Sequence, residues 1–281
     1  MKYMIVIITM SVSSVAFAQK YLEVFSSKNI EKDFAKVDSM LYSCKYETTN
    51  VEYREFLSDL KKLGKTVEYT EALPDTNGWS SKLAYNQPFV ELYFRHPAYQ
   101  DYPLVNVSYE QAVKYCDWLT IKYNANLKKE FKKVVFRLPS KREWEMAARG
   151  GLKGSDYPWG GYSLLSQNGT FRCNYRCIGD EAISYDTISK KDIVKGIGRG
   201  GIAGEINDRA DITAFVGDYC PNDYGLYNMS GNASEMIIEK GIAKGGSWKS
   251  PGYDVRIESQ EMYSKSSNHI GFRVFMEVLE R

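Results

Sequence analysis

Residues 225–235 read Gly-Leu-Tyr-Asn-Met-Ser-Gly-Asn-Ala-Ser-Glu, and residues 245–250 read Gly-Gly-Ser-Trp-Lys-Ser. Both runs lie towards the C-terminal end of a long segment, Gly150 to Gly246, and the second run extends past it. In this segment glycine, asparagine and aspartate recur every few residues. Because these residue types adopt the backbone conformations that turns require, the segment predicts turns and loops around a small sheet. Loops of this length inside a compact domain need a further constraint, for which bound metal ions or disulfides are the candidates.

Helices outside this segment are predicted by the capping box, in which a serine or threonine precedes a glutamate or glutamine by three residues. The boxes are Thr49 with Glu52, Ser108 with Gln111, and Ser140 with Glu143. Apolar residues at helical spacing follow each box and predict helices over residues 50–63, 109–123 and 141–149. Glycines at positions 64 and 150 suit the ends of the first and third helices.

Composition and charge exclude several classes of protein. The 281 residues are 43% hydrophobic and 14% aromatic, which is enough for a packed core and excludes global disorder. Lysine and arginine number 37 against 35 aspartates and glutamates. The net charge therefore gives no electrostatic reason to expect binding to nucleic acid or to an anionic membrane surface.

The first 18 residues have the features of a secretory signal peptide. Lys2 provides the positive charge, residues 4–12 are almost entirely apolar, and Ala16-Phe17-Ala18 fits a cleavage site. The apolar run is shorter than the roughly 20 residues that span a bilayer, so we predict cleavage near Ala18 and a mature chain without a transmembrane segment. No cysteine follows the apolar run to carry a lipid anchor. A periplasmic or secreted location is therefore expected.

The cysteines leave several pairings open. They are Cys44, Cys116, Cys173, Cys177 and Cys220. An oxidising compartment permits disulfides, but the odd number leaves at least one thiol free or paired between chains. Cys173 and Cys177 could pair with each other or with Cys220. Zinc is a weaker alternative, because the Cys-x3-Cys spacing has no second pair or nearby histidine to complete four ligands.

Six motifs occur in order between Leu41 and Val278. Besides the two runs quoted above, they are residues 46–53 (YETTNVEY), 103–109 (PLVNVSY), 137–148 (RLPSKREWEMAA) and 271–274 (GFRV). In this order they resemble the formylglycine-generating enzyme, or sulfatase-modifying factor, family. The resemblance implies an α+β fold of the C-type-lectin-like class, with a small antiparallel sheet, flanking helices and many irregular loops. We therefore expect a signal peptide over residues 1–18, an N-terminal extension over residues 19–40 that could form a separately packed helix, and the family domain over residues 41–281.

The resemblance also implies structural calcium, an ion that prefers six to eight oxygen ligands. At one site the family's ligands correspond to Asn228, Gly231, Ala233 and Glu235. At a second site they correspond to Asn174, Tyr175, Asp208 and Ala210. The alternative for the polar residues of both sets is that they cap turns through hydrogen bonds from side chain to backbone.

Enzymes of this family oxidise a substrate cysteine with two cysteines of their own, which bind Cu(I) as thiolates. Those positions correspond here to Ser250 and Val255. A hydroxyl is a poor ligand for a soft ion and an isopropyl group is none, so copper is not expected. No spacing among the five cysteines indicates a replacement pair, and Cys116 is predicted to be an inert thiol on a buried helix face. In this former site, Ser247 is expected to support the turn, and Trp248 to fill the core or line the cleft.

The histidines offer little alternative chemistry, since the chain contains only His96 and His269. A second branch of the superfamily makes sulfur-containing histidine derivatives with iron held by several histidines on a separate helical domain, which this chain lacks. Both histidines are predicted to be turn or surface residues. A serine nucleophile at Ser247 or Ser250 would need a base and an orienting group, and no spacing indicates that His269 provides one.

Three functions follow from these observations. The first is a secreted, non-catalytic family member that is a structural or binding component of the bacterial cell envelope. Residues 93–103 (YFRHPAYQDYP) and 171–175 (FRCNY) resemble relatives in gliding motility and type 9 secretion. The second is a cysteine-oxidising sulfatase activator, and the third is a ligand-binding lectin-fold receptor that binds through residues 248–268, which are rich in adaptable contact residues. We predict the first, with envelope or secretion-machinery proteins as partners and the oligomeric state left open.

Overall fold

The computed structural model describes residues 27–82, 84–177, 183–194 and 212–281. Its helices are α1 (Ser27–Lys32), α2 (Asn50–Lys62), α3 (Thr66–Ala72), α4 (Gln87–Leu92), α5 (Tyr109–Ala125) and α6 (Lys141–Arg149). Short 3-10 helices lie at Thr76–Trp79 and Pro97–Tyr99. The predicted signal peptide over residues 1–18 lies outside the described residues.

The helices predicted from capping boxes are confirmed as α2, α5 and α6, and all three boxes are complete. At the start of α2, the backbone N–H of Thr49 donates to Glu52 Oε2 at 2.7 Å, and the backbone N–H of Glu52 donates to Thr49 Oγ1 at 3.4 Å. Gly150 ends α6 with a φ of 58°, a left-handed conformation that glycine adopts at low cost. Local hydrogen bonds therefore fix the ends of these helices.

The strands of the described residues form three small sheets. They are β1 (Phe34–Lys36), β2 (Leu41–Cys44), β3 (Lys133–Arg137), β4 (Ile183–Asp186), β5 (Lys191–Val194), β6 (Ser234–Met236), β7 (Ile242–Lys244), β8 (Gln260–Met262), β9 (Ile270–Phe272) and β10 (Phe275–Glu280). The first sheet has the antiparallel order β1-β2-β10-β3. The second has the order β8-β7-β6-β9, in which only β6 and β9 are parallel, and β4 pairs with β5 as a hairpin. Small sheets flanked by helices confirm the predicted α+β, C-type-lectin-like fold class.

The main core lies between the long helices and the sheets, and aromatic rings dominate it. The rings of Tyr53 from α2 and Tyr115 from α5 stack with their centroids 5.6 Å apart. Phe272 of β9 meets the Tyr115 ring edge-on at 5.6 Å. Such pairs stabilise a core beyond their buried area. These ring contacts also position β9. The residue after β9, Arg273, then lies next to the run of residues 225–235, where it bonds the Tyr227 carbonyl.

The described part of the N-terminal extension, residues 27–40, contains the helix α1 and the strand β1. β1 pairs with β2, with Phe34 opposite Cys44, so this segment adds an edge strand to the first sheet. Within the described ranges, no helix is long and apolar enough to cross a membrane.

The cysteines are all described, and each is a free thiol. Cys116 lies on the buried face of α5, as predicted, with 2% of its surface exposed. Burial raises the pKa of this thiol well above its ordinary value, with a smaller contribution from Asp117. Because the thiolate is the reactive form, Cys116 is inert at neutral pH.

Candidate functional site

A buried ion pair joins Glu235, the last residue of the run 225–235, to Arg273. Arg273 has no exposed surface and Glu235 has 1% exposed. The guanidinium donates to Glu235 Oε1 from Nε at 3.0 Å and from Nη2 at 2.7 Å, and Trp144 Nε1 donates to Glu235 Oε2 at 2.6 Å. The remaining donors of Arg273 reach the carbonyls of Cys44 at 3.0 Å and Tyr227 at 2.7 Å. The pair therefore joins α6, β2, β6 and the quoted run in one network.

A second buried carboxylate, Glu47, lies beside this pair. Glu47 Oε1 accepts from the backbone N–H of Ala233 at 3.0 Å. Its Oε2 accepts from Nδ2 of Asn232 at 2.7 Å and from Nδ2 of Asn228 at 3.0 Å. Burial, followed by the charge of Glu235, raises the pKa of Glu47 to about 8. Two buried carboxyl groups, Glu47 and Glu235, thus lie close to the single guanidinium of Arg273.

The first predicted calcium set fits this site in part. Asn228 Oδ1 is buried and has no hydrogen-bond partner among the described residues, which suits a ligand aimed at a cation. Gly231 has a φ of 78° and lies so close to Asn174 that a Cβ atom there would be 2.3 Å from the Asn174 carbonyl oxygen. Glu235, in contrast, already neutralises Arg273. Glu47 is the carboxylate that bonds Asn228, and the sequence prediction missed it although it lies in the motif of residues 46–53.

The second predicted calcium set is only partly described. Asn174 is buried, its Nδ2 donates to the carbonyl of Ile212 at 2.8 Å, and its own carbonyl accepts from Asn232 N at 2.7 Å. Tyr175 packs in a cluster with Val255. Asp208 and Ala210 lie outside the described residues. The two predicted sets therefore adjoin at the contact of Asn174 with the segment of Gly231 and Asn232.

The positions of the family's cysteine pair hold no thiol. Ser250 Oγ accepts from the backbone N–H of Ser247 at 2.9 Å and lies 3.3 Å from Ser247 Oγ, so both serines stabilise the turn, as predicted for Ser247. Val255 has no exposed surface. Trp248 is partly buried and stacks on Trp79, with ring centroids 6.3 Å apart.

Thiols from elsewhere in the chain nevertheless lie against this turn, which the cysteine spacing did not indicate. Cys173 is buried in contact with the cluster of Val255, Tyr157 and Tyr175, and the half-buried Cys177 packs against the same cluster. Between them, the backbone N–H of Arg176 donates to the Ser250 carbonyl at 2.9 Å. Burial raises the pKa of Cys173 far above its ordinary value. Its thiol is therefore protonated at neutral pH.

An open cavity of about 540 Å³ adjoins this cluster. Trp159 and Phe171 line the cavity and also pack against the cluster. The guanidinium of Arg172 lies 5.8 Å from the ring centroid of Trp159, an arrangement for cation–π attraction. Asp218 and Cys220 also line the cavity. The chain therefore has an accessible cleft of ligand size beside the former cysteine positions. Within the described ranges, no three His, Cys, Asp or Glu side chains converge as a metal site.

Several known proteins are similar to this chain in sequence or in structure. A formylglycine-generating enzyme of Thermomonospora curvata is 35% identical over 139 residues, which cover 50% of this chain and 34% of that enzyme. The inactive C-alpha-formylglycine-generating enzyme 2 of Bos taurus is 25% identical over 270 residues, covering 81% of this chain and 74% of that protein. The solved structure of Treponema denticola variable protein 1 aligns with a TM-score of 0.49 at 17% identity, over 87% of this chain and 91% of that chain.

The matched part of the chain thus spans about a third of the length of the Thermomonospora enzyme. A family model covers far more of the chain, since it matches residues 35–278. On that match, the chain belongs to the sulfatase-modifying factor enzyme 1-like domain family.

Proposed function

We propose that this protein has lost the cysteine oxidation of its family and is a secreted structural or binding component of the bacterial cell envelope. The observation that carries the proposal is the state of the two former cysteine positions. Val255 is fully buried among apolar side chains, and Ser250 is bonded within its own turn. Neither residue offers a thiolate to a copper ion or to a substrate.

The neighbouring thiols do not replace that pair in the proposal. Cys173 is buried and its thiol is protonated at neutral pH, so it is a weak nucleophile. The envelope role, with gliding or type 9 secretion machinery as partners, rests on the signal-peptide features and on residues 93–103 and 171–175.

One preparation tests both parts of this proposal. The tagged protein, recovered by affinity capture from the envelope of its own cells, is expected to bring envelope machinery proteins with it. The same preparation, supplied with Cu(I) and a Cys-x-Pro-x-Arg peptide, is expected to leave the peptide cysteine unoxidised. Oxidation that disappears in a Cys173→Ser/Cys177→Ser variant, or co-purification of a sulfatase alone, would contradict the proposal.

We further propose that calcium is a structural ion of this fold. Asn228, with the carbonyls of Gly231 and Ala233, would hold the first ion, and Glu47, which bonds Asn228, would supply negative charge next to it when ionised. Asn174, Tyr175, Asp208 and Ala210 would hold the second. Bound calcium would have only a structural role, in which it holds the loops together through their oxygen atoms. It would also be the partner that Asn228 Oδ1 lacks among the described residues.

Chelation by EDTA is expected to lower the Tm, because an ion bound only by the native state stabilises that state. At a concentration 100 times its Kd, such an ion contributes about 2.7 kcal/mol, or about 5–10 °C in a chain of this size. Calorimetry with and without EDTA measures the shift.

An Asn228→Ala variant is expected to lose most of the EDTA shift. Asn222→Ala is the matched control, since Asn222 is also buried but bonds the α6 carbonyls of Ala147 and Ala148 at 2.8 and 3.1 Å. This control is expected to keep the shift despite its own lower Tm. An unchanged Tm of the original protein in EDTA contradicts the calcium proposal.

A further inference from the structure

A serine, a histidine and a glutamate form a continuous hydrogen-bonded row near β8 and β9. Ser267 Oγ lies 2.6 Å from His269 Nδ1, and His269 Nε2 lies 2.8 Å from Glu261 Oε1. Ser234 Oγ donates to the other carboxylate oxygen, Glu261 Oε2, at 2.9 Å. The sequence predicted His269 as a turn or surface residue, and no spacing indicated that it acts as a base for Ser247 or Ser250. The structure instead pairs it with a different serine.

The backbone of the fold holds this row at both ends. Glu261 lies on β8, and the carbonyl of His269 accepts from the backbone N–H of Ser234 at the start of β6, at 2.9 Å. The carbonyl of Ser267 accepts from the backbone N–H of Asn106 at 3.0 Å. The serine and histidine are therefore positioned by sheet contacts on each side, which limits their motion relative to the carboxylate.

The pattern of donors assigns one tautomer to the histidine. Glu261 accepts hydrogen bonds when ionised, so His269 carries its proton on Nε2 and donates to Oε1. Nδ1 is then free to accept from the hydroxyl of Ser267. Partial burial favours neutral Glu261, but the hydrogen bond and charge of His269, with Ser234 and Lys249, lower the pKa of its carboxyl overall. A nucleophile, a base and an orienting carboxylate therefore occupy the order that serine hydrolysis requires.

A cation and an aromatic surface lie beside this row. Lys249 Nζ bonds the side chain of Asn268, the residue between Ser267 and His269. The same ammonium lies 4.8 Å from the ring centroid of Trp248. A positive group here can stabilise the negative oxygen that develops during attack on a carbonyl. The Trp248 ring offers an apolar surface for the acyl chain.

The three groups are accessible enough to meet a substrate. The side chains of His269 and Glu261 are 18% and 34% exposed, and Ser267 is half-buried. The row contains neither Ser250 nor Val255, the positions of the family's cysteine pair.

We propose that Ser267, His269 and Glu261 form a serine-hydrolase centre for small carboxylic esters with an apolar acyl chain. Ser267 Oγ forms a bond to the acyl carbon while its proton moves to His269 Nδ1. The ester C–O bond breaks, and the leaving alkoxide takes the proton from His269. Water then attacks the acyl-serine and gives its proton to His269, after which the carboxylic acid leaves and Ser267 regains its hydrogen. Glu261 remains a carboxylate and stabilises the imidazolium.

Labelling with a fluorophosphonate probe tests the proposal, with the modified residue identified by peptide mass spectrometry. Ser267 is expected to be labelled, and the rate is expected to fall by about 100-fold or more in His269→Gln, since a positioned general base contributes about 10²–10⁴-fold. Glu261→Gln is expected to slow labelling by about tenfold or more. Hydrolysis of p-nitrophenyl butyrate is expected to disappear in Ser267→Ala.

Ser264 and Ser266 on the same loop are the matched controls, because their replacement by alanine is expected to leave labelling and hydrolysis unchanged. The Tm of Ser267→Ala is compared with that of the original protein. A similar Tm shows that the variant is folded and that its loss of hydrolysis is not due to unfolding. Labelling at Ser264 or Ser266 instead of Ser267 overturns the proposal. Equal labelling rates with and without the histidine or the glutamate overturn it as well.

Discussion

Replacing Arg273 by methionine is expected to reduce the free energy of unfolding by about 3–5 kcal/mol, because it leaves a buried carboxylate without its partner. Arg273 is fully buried and donates to Glu235 as well as to the carbonyls of Cys44 and Tyr227. Methionine fills similar space but satisfies none of these acceptors. Urea unfolding measures the loss, with the free energy of unfolding in water calculated from the midpoint and the slope (m-value) of the transition.

An exposed ion pair gives the control for this substitution. Lys114 and Glu71 lie 2.7 Å apart, but their side chains are 44% and 56% exposed. Lys114→Met is therefore expected to cost about 1 kcal/mol or less. The double variant Arg273→Met/Glu235→Gln is expected to recover part of the stability, because it removes the unpaired charge. A loss in Arg273→Met no larger than that in Lys114→Met contradicts the assignment.

The parts of the fold that the sequence predicted well are the local ones. A capping box involves residues three apart, so Thr49 and Glu52 reveal the start of α2 without knowledge of the rest of the chain. Gly150 similarly ends α6 through its own backbone conformation. The pairing of strands is different, because β6 lies beside β9 and β10 lies between β2 and β3. Short strands carry little pattern to indicate such partners.

The candidate site was harder to predict because its contacts join distant parts of the chain. Glu47 bonds Asn228, which lies 181 residues further along. The motif of residues 46–53 marked Glu47 as part of the fold but gave no indication of its partners. Cys173 and Val255 are likewise distant in sequence yet share one cluster. Matching this sequence to the family's motifs predicts which residues correspond to ligands and to the cysteine pair. Only the structure shows which side chains those residues contact in this chain.

Asn228 illustrates how the two kinds of information combine. The sequence comparison selects it as an ion ligand, and the structure shows that its side-chain nitrogen bonds Glu47 and the Val216 carbonyl while its oxygen has no partner in the described residues. A residue that merely capped a turn would use this oxygen for a backbone N–H. The unpaired oxygen, not the residue type, is therefore the argument for a cation.

Replacing Gly231 by alanine is expected to lower the free energy of unfolding by about 2–5 kcal/mol, since it adds a steric collision to an unfavourable backbone conformation. The φ of Gly231 is 78°, and its new Cβ would lie 2.3 Å from the carbonyl oxygen of Asn174. The collision is with backbone, which cannot turn away as a flexible side chain would. Because this contact joins the two predicted calcium sets, the variant is also expected to weaken the response to EDTA.

Gly225 provides a control that separates these two effects. Its φ is also 78°, but no atom lies within 4 Å of the position that a Cβ would occupy. Gly225→Ala is therefore expected to cost only the left-handed conformation, about 1–2 kcal/mol. The difference between the two variants in urea unfolding measures the contact between Gly231 and Asn174 alone. Equal losses in Gly225→Ala and Gly231→Ala would show that the segments of residues 174 and 231 do not touch in solution, and the shared calcium region would lose its structural basis.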